Sequence, residues 1–237
     1  MTTTSKPRRG GAARPQRPGR PERSATPLSR ERIAVAAMAL VDEEGLDALS
    51  FRRLAGNLGC EAMSIYHHVP SKAHLMDALV DIMLAEIVVP TVQEEPNWLE
   101  RLRRSAHAFR AMALKHPKFF SYFAVHRLNT LRGVTFIDAV IGILREAGFS
   151  DGDAARYFRE LGYYLTGAAL DETAGYAKGP SAAEPVDNAV IGASFSHLAA
   201  AAPYFQPEHF QETFELGLEM LLEAIRRAHE GRAMPRG

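Results

Sequence analysis

The stretch ALSFRRLAGNLGCEAMSIYHHVPSKAHLMDAL, residues 48–79, decides the fold. Ser50 is a good N-cap for a short helix over 51–58, with Leu54 and Leu58 facing inward and Gly59 as its stop. A tight turn follows, then a second short helix over 62–68 anchored by Ile65. Pro70 cannot continue that helix, and Ser71 can cap the next one from Lys72. Upstream, Ser29 caps a support helix that runs to Glu44 and ends at Gly45, with Ile33, Ala37, Leu40 and Val41 on one face. A support helix before two short helices and a tight turn is a helix-turn-helix pattern. The same stretch holds Cys60, Glu61, His67 and His68, which invites a metal reading. Adjacent histidines project about 100° apart on a helix and do not converge on one ion. Helical metal pairs need i, i+3 or i, i+4 spacing, and a lone cysteine in a turn reads as a small hydrophobe. No metal and no other cofactor is expected.

The rest of the chain continues as helices, with no period-2 run and no hairpin signal, so the expected class is all-α. The fourth helix should cover 72–89 and stop at Pro90, with Leu75, Leu79, Ile82 and Met83 on one face. Further helices are expected over 97–115, 118–128, 132–147, from Ser150 to about Ala177, over 187–199 and from Pro207 to about His229. Ser150 with Asp153 forms a capping-box pattern, using Asp for the usual Glu. The expected domains are a basic arm (1–27), a helix-turn-helix DNA-binding domain (28–71) and a second, helical domain (72–237), opened by a connecting helix (72–89).

Composition limits the alternatives. The 237 residues are 46% hydrophobic, enough for a real core, but charges break every apolar stretch before it could span a bilayer. The N-terminus lacks an apolar signal region, and the single cysteine excludes an intrachain disulfide. A cytoplasmic protein is expected. Net charge is zero but unevenly spread: residues 1–27 hold 7 of the 28 basic side chains and 1 of the 28 acidic ones, leaving the remainder at −6. This Pro-, Gly- and Arg-rich arm cannot offset the entropy of ordering and reads as disordered. Its RPGRPER (17–23) is similar to a minor-groove hook with an inserted proline; a solubilising tail that touches DNA non-specifically is the alternative.

Residues 48–79 also resemble the TetR family of transcriptional regulators. The resemblance rests on Leu-Ala-x-x-Leu-Gly, a turn, then Ile-Tyr-x-His-Val-x-x-Lys and an apolar helix. Looser similarity to the tetracycline-repressor branch continues through GFSDGDAARYFRELGYYLTGAALDE (148–172) and FELGLEMLLEAIRR (214–227). The resemblance implies DNA contacts at eight positions. Arg52 matches a guanine-reading position, where a planar fork suits O6 and N7. Ala62, Met63 and Ser64 match the base-reading turn. Tyr66 and His68 match phosphate-facing positions, His67 a groove-facing one, and Lys72 a phosphate contact at a helix N-terminus. Ala62 and Met63 replace more polar or rigid residues, which implies a different operator, with apolar contacts to thymine methyls.

The resemblance further implies a ligand pocket among Phe109, Met112, His116, Phe123, His126, Phe136, Ile137, Val140, Leu144, Phe158, Leu170 and Asp171. The alternative, that the aromatics are simply core, stays open. Val88, Ser105 and Val140 stand where the tetracycline branch carries polar anchors, which points to an apolar or aromatic inducer rather than a tetracycline–magnesium complex. The eighth helix, with Gly162 and Gly167, and the last helix match a four-helix dimer interface. Phe210, Phe214, Gly217, Leu218, Leu221, Leu222 and Ile225 form its stripe, in a double role as core and interface. The expected function is a ligand-responsive repressor that binds a pseudo-palindromic operator as a homodimer. The alternative is a constitutive or architectural DNA-binding protein without inducer. No nucleophile–base pair, phosphate loop or metal spacing supports an enzyme.

Overall fold

The computed structural model describes residues 27–174 and 181–233. The basic arm, but for its last residue, and the expected end of the eighth helix at Ala177 lie outside them. The described residues form eleven α-helices and no strand. The first four are α1 (Arg30–Glu44), α2 (Phe51–Leu58), α3 (Ala62–His68) and α4 (Lys72–Glu86). Three serines start three of them. The hydroxyls of Ser29, Ser50 and Ser71 accept from the backbone N–H of Arg32, Arg53 and His74 at 3.1, 3.3 and 3.3 Å. At the end of α2, Gly59 takes the left-handed conformation, φ +64°. Its N–H donates to Gly56 and that of Cys60 donates to Ala55, which closes a Schellman motif and reverses the chain toward α3. A single 3-10 turn at Leu46–Ala48 between α1 and α2 was not expected from the sequence.

The body comprises α5 (Trp98–Lys115), α6 (Pro117–Val125), α7 (Leu131–Glu146), α8 (Asp151–Ala174), α9 (Asn188–Ser194), α10 (Ser196–Ala201) and α11 (Phe210–Ala233). Ser150 caps α8 as expected, accepting from the Asp153 N–H at 3.2 Å, while its hydroxyl meets the Asp153 carboxylate. Several boundaries differ from the sequence reading. Helix α4 stops at Glu86 rather than Val89. Pro90 forces extended backbone on the residue before it, and β-branched Ile87, Val88 and Val89 fit extended chain well. Helix α6 begins at Pro117, a favoured first position, and ends at Val125, three residues short of the expected end. The expected helix over 187–199 is two short helices broken at Phe195, among the weak helix formers Gly192, Ser194 and Ser196. Pro207 opens a 3-10 turn before α11 rather than α11 itself.

Two cores hold the chain together. The first joins Ile33, Leu54, Ile65 and Leu79 of the helix-turn-helix unit and α4 to Phe119, Phe120 and Phe123 of α6. It therefore runs without a break from the N-terminal unit into the body. The second packs Leu102 of α5, Ile143 and Leu144 of α7, Leu161 of α8 and the inner face of α11.

Of the double role expected of the dimer stripe, that inner face shows the core part. Phe214, Leu218, Leu222 and Ile225 are at most 2% exposed within one protomer, so they are core and have no surface left for a second copy. Phe210, Gly217 and Leu221 are half-buried. A stripe at helical spacing marks a buried face, and here the protomer's own α5, α7 and α8 bury it. Gly217 does permit a close approach, but of Tyr164 in the same protomer: a Cβ there would lie 2.6 Å from the tyrosine ring.

Candidate functional site

Helix α3 is held by one side chain. Ile65 is fully buried, with Leu54, Ala55 and Leu58 of α2 behind it and Val69 just after it. On a seven-residue helix one inward anchor leaves most other positions facing out. Met63 is 65% exposed, and His67, His68 and Lys72 are exposed, while Ala62 and Ser64 are half-buried beside them. Tyr66 is 42% exposed, and its ring stacks on Phe51 of α2 with centroids 4.5 Å apart and planes 9° from parallel. The stack fixes the ring while leaving an edge toward solvent.

Two neighbouring arginines on α2 differ sharply. Arg53 is tied to both carboxylate oxygens of Glu44 at 2.5 Å. Arg52 is exposed and has no hydrogen bond or ion pair among the described residues. All eight positions expected to meet DNA therefore reach the surface of one short unit, and between Arg52 and Lys72 Glu61 is the sole acid in the sequence. A free planar guanidinium, an ammonium, two imidazoles, a phenol and small apolar groups are the groups that contact base edges and phosphates. Among the described residues no three His, Cys, Asp or Glu side chains come together as a metal-binding group.

The body holds a small apolar cavity of about 40 Å³ between α5, α7 and α8. Of the twelve expected pocket residues, Phe109, Phe136, Val140 and Phe158 line it. Leu161, Gly162 and Leu165 of α8 and Leu102 and Ala106 of α5 complete its wall. The periodicity of α5 and α8 marks these as inward without saying that they face a void. Ser105 also faces the cavity, but its hydroxyl donates to the Arg101 carbonyl at 2.8 Å and adds little polarity. The volume suits one or two water molecules rather than a drug-sized ligand, so occupation requires the walls to move.

The other expected pocket residues lie elsewhere. Met112, Phe123 and Leu144 are sealed in the two cores, and Leu170 packs against the first. Ile137 is half-buried and Asp171 is exposed. His126 lies 3.3 Å from Asp77 of α4 and stacks on Tyr122. His116 is 4% exposed and lies between Asp42 of α1 and Glu86 of α4, at 2.8 and 3.2 Å. The resemblance groups all these positions as one pocket. It does not separate a cavity wall from packed core or from an ion-paired joint.

One feature near the cavity has no sequence signal. Arg110 and Glu172, 62 residues apart, form a mostly buried pair at 2.8 Å, with the Arg110 guanidinium 4.7 Å from the Phe214 ring centre. The pair pins α5 to α8, and the ring contact adds α11.

Comparisons with known proteins agree with this layout. Residues 33–79 match the family "Bacterial regulatory proteins, tetR family", and residues 90–228 match "Tetracyclin repressor-like, C-terminal domain". The chain is 31% identical over 201 residues to the class A tetracycline repressor protein from transposon 1721 of Escherichia coli, covering 84% of this chain and 91% of that one. A possible TetR family transcriptional regulator of Streptomyces coelicolor superposes with TM-score 0.70 at 33% identity, covering 84% of this chain and all of the other. The Streptomyces coelicolor protein ActR in complex with actinorhodin also gives 0.70, at 30% identity, covering 86% of this chain and 99% of the other.

Proposed function

Because the chain belongs to the TetR family of bacterial transcriptional regulators, we propose that it is a ligand-responsive repressor. In this reading it binds a pseudo-palindromic operator as a homodimer and leaves it when a small apolar or aromatic inducer enters the body. The observation that carries the reading is the outward face of α3 and its flanks, where Arg52, Met63, Tyr66, His67, His68 and Lys72 are all exposed around the buried anchor Ile65. Arg52 reads a guanine, Ala62, Met63 and Ser64 meet base edges, and Tyr66, His68 and Lys72 hold phosphates. Two-fold operators call for two copies of this face. On α8 and α11, the apolar groups left for a second copy are Tyr163, Leu216 and Met220, which are 61–66% exposed.

Support for an inducer comes from the cavity wall and from the relatives. Class A is a tetracycline repressor, and the ActR structure holds actinorhodin. The wall here is almost wholly apolar, with Val140 where the tetracycline branch has a polar anchor and Ser105 committed to its own helix. That chemistry suits an apolar or aromatic molecule better than a tetracycline–magnesium complex.

A second reading, constitutive DNA binding without inducer, is favoured by the 40 Å³ volume. Gly162→Leu separates the two. Gly162 lines the cavity, and a Cβ there meets nothing within 4 Å, so the larger side chain fills the void without a clash at its base. Duplexes selected from a random pool by the wild-type chain, titrated with a panel of apolar aromatic compounds, supply the assay. The inducer reading predicts release of wild type by some of them, and no release of Gly162→Leu at unchanged DNA affinity. Release of both proteins alike rules out this cavity as the inducer site.

A further inference from the structure

His116 ends α5, the helix that lines the cavity, two turns beyond Phe109, and is itself almost completely buried. Each of its ring nitrogens faces a carboxylate from a different element. Nδ1 lies 2.8 Å from Asp42 Oδ2 in the last turn of α1, and Nε2 lies 3.2 Å from Glu86 Oε1 at the end of α4. The other Asp42 oxygen is buried without a hydrogen-bond partner among the described residues. From α5 itself, Lys115 donates to Glu86 at 2.7 Å. From α6, Lys118 donates to the Glu43 carbonyl at 2.6 Å. The group thus meets at the joint where the helix-turn-helix unit, α4 and the cavity-lining helix come together.

A neutral imidazole has one N–H and one lone pair, so it donates to only one of two carboxylates and turns a lone pair toward the other. Only the doubly protonated ring donates to both. It also gives Asp42 and Glu86 a second cation beside Lys115, which matters where burial makes an uncompensated charge expensive. Burial pulls the Glu86 carboxyl up, but the bonds from Lys115 and His116 outweigh this and hold it below the usual carboxylate range.

We propose that His116 is a positioning residue, a proton-dependent clasp that fastens α1 to the end of α4 when both ring nitrogens carry protons and lets go of one of them when a proton leaves. It acts through Asp42 and Glu86 and touches no ligand or DNA. Its regulatory meaning rests on the proposed function and on α4 serving there as a lever that carries motion from the cavity to the recognition helix; the clasp itself does not. A second histidine contact, His126 with Asp77, grips α4 nearer its start and serves as the internal control.

Amide hydrogen exchange on the full chain, without DNA, tests the clasp between about pH 5 and 8, the span over which imidazoles change charge. After correction for the intrinsic rate, protection in the last turn of α1 or of α4, whichever the neutral ring releases, falls about tenfold as pH rises in wild type, the effect of losing one charge-assisted bond. His116→Gln, which keeps a donor and an acceptor but cannot titrate, shows a flat profile. His126→Gln keeps the wild-type profile at these two turns. A wild-type profile that is flat, or that His116→Gln reproduces, overturns the proposal. Should His116→Gln fail to fold, the nitrogen spectrum of the wild-type imidazole decides: both nitrogens protonated at the acid end supports the clasp, and one neutral tautomer throughout overturns it. Because no DNA is present, failure of the lever reading leaves these outcomes unaffected and shows only in operator binding.

Discussion

At the level of single residues, Arg52 and Arg53 are adjacent in the chain and differ in what they are free to do. Arg53 holds Glu44 with two bonds at 2.5 Å, whereas Arg52 projects from the first turn of α2 without a partner among the described residues. The proposed reading gives Arg52 the guanine, and Arg52→Ala should weaken binding to a selected duplex by about 1–3 kcal/mol while relaxing preference at one base pair. Arg53→Ala removes a half-exposed ion pair and should shift thermal stability slightly, with base preference intact. Competition binding with single-base duplex variants distinguishes them; equal loss of base preference in both variants contradicts the assignment. The sequence suggests the role of Arg52 through its position in the motif. It cannot show that Glu44, nine residues upstream, occupies Arg53 instead. His116 is a sharper case: its partners lie 74 and 30 residues away, and no local pattern marks it.

Among the helices, local chemistry wrote most boundaries and remote chemistry wrote their surroundings. Ser29, Ser50 and Ser71 sit beside the backbone groups that they cap, and Gly59 sits at the turn that it makes, so α1, α2 and the start of α4 are legible to the residue. Periodicity likewise shows that one face of α11 is buried. It does not show against what: within one protomer, α5, α7 and α8 bury Phe214, Leu218, Leu222 and Ile225 of a stripe expected to serve as both core and interface. This separation has a consequence. Leu218→Ala, at a fully buried position, should cost about 2–5 kcal/mol of protomer stability. Leu216→Asp with Met220→Asp, at positions 63% and 66% exposed, should leave the protomer folded and weaken the dimer. Thermal unfolding and analytical ultracentrifugation read the two effects separately. A dimer left intact by Leu216→Asp with Met220→Asp would remove α11 from the interface.

Across the whole molecule, the continuous first core makes the N-terminal unit and the body mechanically one object, with α4 passing between them. Three acids on α4 are held from the body side: Asp77 by His126, Asp81 by the Thr130 hydroxyl at 2.6 Å, and Glu86 by Lys115 and His116. Helix α5, which lines the cavity, is therefore tied through Lys115 and His116 to α4, the helix that follows α3 in the chain. The all-α class and the helix-turn-helix were readable from spacing and caps. The cavity's size was not, because it depends on how α5, α7 and α8 settle against one another. The central claim is that two copies of the α3 face read one two-fold operator, and footprinting on a duplex selected by the full chain tests it most directly. The account predicts two protected half-sites related by a pseudo-two-fold, with centres about 34–36 Å or a multiple apart, filled together by two protomers. Uniform protection without half-sites, or a single half-site filled by one protomer, would contradict it.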